Sequence, residues 1–453
     1  MTRRLDRTIF VLFLAVIAFT ALALGTVEPW SVFIFELTIT ALLLLWALKV
    51  VAAKQLEMVI PITFWPILAF FVLGVIQCFS SSGVQGVSSG ISIDAEATRH
   101  VVTLLFFLLA SHLIAANFLA GQGRQAAVVK FLAVFGFVVA VFGLIQYFAW
   151  NGGIYWLRVS DGGRWVQGPF VNHNHFAGYM ELLIPLPLAL IATGAVKDSR
   201  VLYGFASVVM IIALVLSASR GGMISLAIAL VFVAVCGFNF SRSRVRSGYS
   251  GGKLLTSGGL GGKRMGLRRF ASTALILGSI LAGLLWLGLE PVVNRLPDAA
   301  SVGNAENSES FEASRGWIWR NSVRIFAANP ILGTGMGTFA TAIPIYGVDN
   351  RATYDGKLLI WDRAHNDYLQ ILTDTGAIGG SIALWFIASI IIVVKRNSKI
   401  ADPFRAGIAI GCGGSILSIL IHSVFDFNLQ LPATSLLFLT LIAIAANLTS
   451  SRD

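Results

Sequence analysis

Charge is what this 453-residue sequence has least of. Asp, Glu, Lys and Arg make up 12% of it, against 56% hydrophobic residues. That is about half the charged fraction of a soluble domain, which excludes an ordinary water-soluble globule. Cysteine is scarce as well. Cys78, Cys236 and Cys412 stand far apart in or beside apolar blocks, with no CxxC, so neither a zinc site nor a disulfide framework is implied. They read as small buried apolar side chains. No cleavable leader is legible, because the first apolar block runs into Val27-Glu28-Pro29-Trp30 and not into a small-residue cleavage site. Carboxylates that could cage a divalent metal are sparse, Glu181 and Asp426 being isolated candidates, and a metal-independent protein without cofactors is expected.

What the sequence has is long apolar runs, with a mean hydropathy of +0.80. Runs of about 18 or more apolar residues read as membrane-spanning helices. About twelve are expected, over 8–26, 31–50, 58–79, 100–119, 128–149, 175–195, 201–217, 222–240, 270–289, 376–394, 406–424 and 432–448. The fold class is therefore an all-α integral membrane protein, a single polytopic domain over residues 1–453. Lys and Arg orient it. With both termini placed in the cytoplasm, the cytoplasmic segments hold 22 of the 33 basic residues and 5 of the 22 acids, so the net charge of +11 divides into +17 inside and −6 elsewhere. Basic loops facing anionic lipid explain the high pI without nucleic acid.

Two segments outside the spans differ in kind. The Gly-, Ser-, Arg- and Lys-rich loop at 241–269 reads as a lipid-facing cytoplasmic linker. The long external segment, 290–375, is expected to contain a helix from Phe311 to Ala328, ended by Asn329-Pro330. The following Gly333-Thr334-Gly335-Met336-Gly337 has no strand before it, so it reads as a tight turn and not as a nucleotide loop.

The basic residues outside the cytoplasmic segments are nearly all arginine, 10 of 11. Arg220 sits in Ser219-Arg220-Gly221-Gly222 between two apolar blocks, where a charge is either paired or useful. A guanidinium offers a planar fork of donors suited to phosphate. Arg315, Arg320 and Arg324 fall on the external helix, where pairing with Glu306, Glu309 and Glu312 is the structural alternative. His365, in Ala364-His365-Asn366-Asp367-Tyr368-Leu369-Gln370, lies at the outer membrane surface before the tenth span. Its imidazole can accept a hydroxyl proton, with Asp362 or Asp367 to orient it. His173 and His175 form an H-x-H without a third ligand, weak for metal and better read as a hydrogen-bonded re-entrant turn. His422 and Asp426, four apart, fall on one helical face, to pair with each other or to line a polar cavity.

These residues resemble the O-antigen ligases and the related O-antigen polymerases. The resemblance rests on His365-Asn366 followed, after nine intervening residues, by Gly376-Ala377-Ile378-Gly379, on the Ser219-Arg220-Gly221 turn, on the Gly168–Ala177 segment, on Arg315-Gly316-x-x-Trp319, and on Asn329-Pro330 with the Gly-rich turn ending at Phe339. It covers roughly residues 165–430. It implies a membrane glycosyltransferase of GT-C type in the bacterial inner membrane. The implied donor is a glycan on undecaprenyl pyrophosphate, moved to lipid A–core by ligases, to another lipid-linked repeat by polymerases, or to protein hydroxyls by protein O-oligosaccharyltransferases. His365 and Arg220 would then be catalytic. Arg164, Arg315, Asn366, Asp367, His175, His422 and Asp426 would hold pyrophosphate or acceptor, with membrane lipids as the other partner. The main non-enzymatic alternative is a transporter of lipid-linked sugar, which would tend to show internal repeats and mid-membrane charges; here no repeat is evident, and the polar residues concentrate at one face.

Overall fold

A computed structural model describes residues 1–79, 91–159, 164–246, 249–250, 253–254, 315–346, 351–354 and 357–449. The chain is a multi-pass membrane protein built almost entirely of helices. The elements up to the basic loop are α1 (Thr2–Leu22), α2 (Pro29–Ala53), α3 (Phe64–Cys78), α4 (Ala95–Phe118), α5 (Gln122–Phe148), α6 (His173–Leu183), α7 (Pro185–Thr193), α8 (Arg200–Leu216) and α9 (Arg220–Arg246). After it come α10 (Arg315–Ala328), α11 (Phe339–Ile345), α12 (Asp367–Asn397), α13 (Pro403–His422) and α14 (Pro432–Asn447). Strands occur among the described residues only as three short antiparallel pairs. Eight of the described helical segments are long and apolar enough to cross a membrane, with three shorter apolar helices beside them. These eleven fall on eleven of the expected spans; the twelfth, 270–289, lies outside the described residues, as does most of the basic loop.

Local chemistry sets the helix starts. Asp94, Asn172, Asn366 and Asp402 each cap a helix by accepting a backbone N–H of its first turn. Proline stands at the first helical position of α2, α7, α13 and α14, where its missing N–H costs nothing. The α6–α7 pair, interrupted at Ile184-Pro185, is the centre of the bundle. Its mean hydropathy of 1.6 is below the 2.1 of α1, yet its span is 100% buried against 33% for α1. Protein, not lipid, surrounds it, and it can therefore carry polar groups. Gly407 and Gly411 bring α13 onto it; a Cβ at Gly411 would stand 2.7 Å from the Leu186 Cα.

Two corrections concern the approach to the tenth span. That helix begins at Asp367, nine residues earlier than expected, and breaks at Gly376 (φ 61, ψ −160). A Cβ at Gly376 would overlap the Ile331 carbonyl, so only glycine lets α12 cross the turn after α10. The turn itself, with positive φ at Gly333, Gly335 and Gly337, wraps the buried Asp374: Gly337 N–H donates to its carboxylate at 2.9 Å and Gly335 N–H to its carbonyl at 2.9 Å. Gln77 closes the junction, donating to the Leu332 and Asp374 carbonyls and accepting from Met336 N–H. The second correction is that His173 and His175 occupy the first turn of α6, where a re-entrant turn was expected. The helix expected from Phe311 is seen from Arg315 as α10; residues 311–314 lie outside the described ones. A small separate core of Ile318, Ile325, Phe339, Ile343, Trp361 and Ala364 holds α10 and α11 against the segment leading into His365.

Polar contacts divide the bundle into two ends. At one, Asp6 meets Lys49 at 2.7 Å and Arg124 at 3.8 Å, and Arg405 donates to the Leu448 carbonyl. At the other, Arg158 meets Glu28 at 2.5 Å, and the starts of α9 and α12 come together with the end of α13.

Candidate active site

Asp426 organises the second end. It follows α13, is fully buried, and accepts from three directions. His365 Nδ1 lies 3.2 Å from its Oδ1, Arg315 donates to Oδ2 at 3.4 Å, and Phe427 N–H donates to Oδ1 at 2.9 Å. Burial alone would favour the neutral acid, but the His365 hydrogen bond and the charges of His175, His365 and Arg315 outweigh it and hold the carboxyl well below the ordinary carboxylate range. The carboxylate thus fixes the imidazole. With Nδ1–H donating to Asp426, His365 carries its lone pair on Nε2. The expected orienting acids do not serve: Asp426, 61 residues away, replaces Asp362 and Asp367.

His365 is held in a costly conformation. Its φ of +48° is left-handed for a non-glycine residue, which costs on the order of 1–3 kcal/mol and persists only where neighbours over-determine it. Here they do. Gln370 Oε1 accepts from Ala364 N–H at 2.8 Å, Trp319 donates to the Ala364 carbonyl at 3.1 Å, and Asn366 is committed to capping α12 through Tyr368 and Leu369 N–H. The imidazole packs edge-on against Trp361 and Phe427 and keeps 21% of its side-chain surface open, with 40% for Arg315.

The remaining candidates fall into two groups. Arg220 opens α9 and is exposed, and its neighbour Gly221 lies against His422, which ends α13 beside this cluster. Arg164 is exposed, donates to the Tyr147 carbonyl at 3.1 Å and lies over the Tyr147 ring. Asp367, His175 and His422 are buried behind the mouth. Asp367 accepts from Ser423 at 2.8 Å, Gln430 at 3.1 Å and Leu429 N–H at 3.2 Å, which ties the start of α12 to the turn before α14. His175 packs against Phe427, the ring that also touches His365. His422 and Asp426 do not pair with each other; the partner of His422 is Glu181, 2.8 Å away, a contact the residue pattern did not reveal because it joins α6 to α13. Of the α10 arginines, Arg324 donates to Asn321 at 3.3 Å; Glu306, Glu309 and Glu312 lie outside the described residues. Among the described residues, no group of three His, Cys, Asp or Glu is placed to hold a metal ion.

The arrangement suits proton abstraction beside fixed positive charge. An imidazole in a set tautomer can accept a proton, and guanidinium groups nearby can stabilise an anion as it develops. Compared with known protein families, residues 205–386 match the model described as O-Antigen ligase. The matched stretch contains Arg220, Arg315 and His365 and leaves out Glu181, His422 and Asp426. No curated protein matches the chain.

Proposed function

From a chain whose residues 205–386 match the O-antigen ligase family model, we infer a glycosyltransferase that moves a glycan from undecaprenyl pyrophosphate to an acceptor hydroxyl, lipid A–core or similar, at the periplasmic face of the bacterial inner membrane. The observation that carries this reading is the His365–Asp426–Arg315 cluster, partly open to solvent, at the end of the bundle where the Arg220 turn begins.

His365 Nε2 takes the proton from the acceptor hydroxyl. The oxygen bonds to the anomeric carbon from the side opposite the pyrophosphate, so configuration inverts. The bond from that carbon to the phosphate oxygen breaks, and its electron pair leaves with undecaprenyl pyrophosphate. Arg220 and Arg315 stabilise the charge growing there, and the guanidinium groups take the place of a divalent metal. Asp426 keeps Nδ1 protonated and stabilises the imidazolium that forms. The donor already carries its leaving group, so no nucleotide is needed outside the cell.

The test is product formation by the purified protein in detergent. Lipid-linked donor with a lipid A–core acceptor is expected to give one transferred product with inverted linkage. A ladder from donor alone would identify a polymerase, and no product under either condition would favour a transporter.

A further inference from the structure

Beneath the Ser219–Gly222 turn lies a carboxyl and imidazole pair that the reaction above does not use. Glu181 belongs to α6 and His422 ends α13, with side chains 0% and 1% exposed and Oε1 2.8 Å from Nδ1. Neither atom completes a hydrogen bond by geometry, and the contact is an electrostatic pairing. The other carboxyl oxygen, Oε2, has an aligned donor in Ser418 at 2.8 Å. Both members press on the turn. A Cβ at Gly221 would stand 2.9 Å from His422 Cδ2 and 3.0 Å from its Nε2, and one at Gly222 would stand 2.9 Å from Glu181 Oε1. The turn is pinned from its other side too: Ala218 is left-handed (φ 57) and Ser219 Oγ accepts from Gly222 N–H at 3.3 Å.

Such a pair is a poor source of stability. Apolar residues of similar volume would commonly be as stable or more so, and ionisable groups inside a membrane bundle are kept for use. Sealed from solvent, the pair cannot touch a substrate. It touches the backbone that carries Arg220, at the first turn of α9, where a helix start favours a carboxylate. We propose that Glu181 and His422 are positioning residues that fix the Arg220 guanidinium for the pyrophosphate of the donor.

This role rests on the reading that Arg220 holds that pyrophosphate, and the test separates the two. Inorganic pyrophosphate is used as a competitive inhibitor of transfer by the full-length protein. Glu181→Ala is expected to raise the pyrophosphate Ki and the donor KM about ten-fold while leaving the acceptor KM unchanged, and Glu181→Gln, which keeps the shape and the Ser418 contact, about three-fold at most. Added to Arg220→Ala, Glu181→Ala is expected to contribute less than about two-fold more, because two residues acting through one contact are not additive. Losses that multiply in the double variant, or an equal rise in the acceptor KM, overturn the positioning role alone. An unchanged pyrophosphate Ki in Arg220→Ala overturns the reading of Arg220 itself. Should Glu181→Ala not fold, His422→Gln is read by the same ratios.

Discussion

At the end of the bundle that carries Lys49, Arg124 and Arg405, the cations meet a half-buried Asp6 and the Leu448 carbonyl that follows α14. At the end that carries Arg315 and His365, they meet one carboxylate with no exposed surface. The first kind of pairing is screened and worth about 0–1 kcal/mol. In the second the carboxylate is desolvated while its cationic partners keep 40% and 21% of their side-chain surface open, so removing a partner leaves a buried charge uncompensated. A cavity of about 140 Å³ opens at the Lys49 end, lined by Val59, Pro61, Val393, Arg396 and Asn447, without an imidazole or a carboxylate. What distinguishes the His365 end is a carboxylate buried at the centre of a charge cluster.

The comparison can be broken at four points. Arg220→Ala is expected to lower kcat by about 10²–10³-fold, the usual loss when one donor to a developing anion is removed; steady-state transfer with saturating acceptor measures it. Asp426→Asn keeps the shape and removes the charge that sets the tautomer, for a loss of about 10²-fold, the low end of what a general base contributes. The same variant has a signature in stability. Because the folded protein holds Asp426 below the ordinary carboxylate range, its ionised form stabilises the fold at neutral pH, and that contribution is lost as pH falls below the ordinary range toward the lower folded value. Wild-type protein should therefore lose more Tm than Asp426→Asn as pH is lowered from about 5 toward about 2, and the two should run parallel between about pH 7 and pH 5. Gly221→Ala places a methyl group against His422 and should cost about 1–3 kcal/mol, read by thermal unfolding together with a fall in transfer. Lys49→Ala, at the opposite end, should change stability by no more than about 1 kcal/mol and leave transfer unchanged.

The spans were legible because length and apolarity are what a bilayer demands. The site was legible as residue types, and less so as pairs. Hydropathy placed the start of the tenth span after Asp367, Gln370 and Asp374, since two carboxylates and an amide so close together read as loop. In the fold they are buried and satisfied, by Ser423, Gln430 and the Gly333–Gly337 turn, and satisfied polar groups look the same as exposed ones in a sequence. His365 was identifiable from its surroundings, whereas its partner Asp426 lies across a helical hairpin, and local spacing pointed to Asp362 and Asp367. The Glu181–His422 contact joins helices far apart in the chain, and neither residue has a neighbour in sequence that announces the other.

The most direct measurement is the single-turnover transfer rate of purified His365→Ala with saturating lipid-linked donor and acceptor, beside wild-type protein of equal Tm. Loss of the general base should slow it by about 10²–10⁴-fold. Transfer by this variant at the wild-type rate would contradict the assignment of the reaction to the His365–Asp426 mouth.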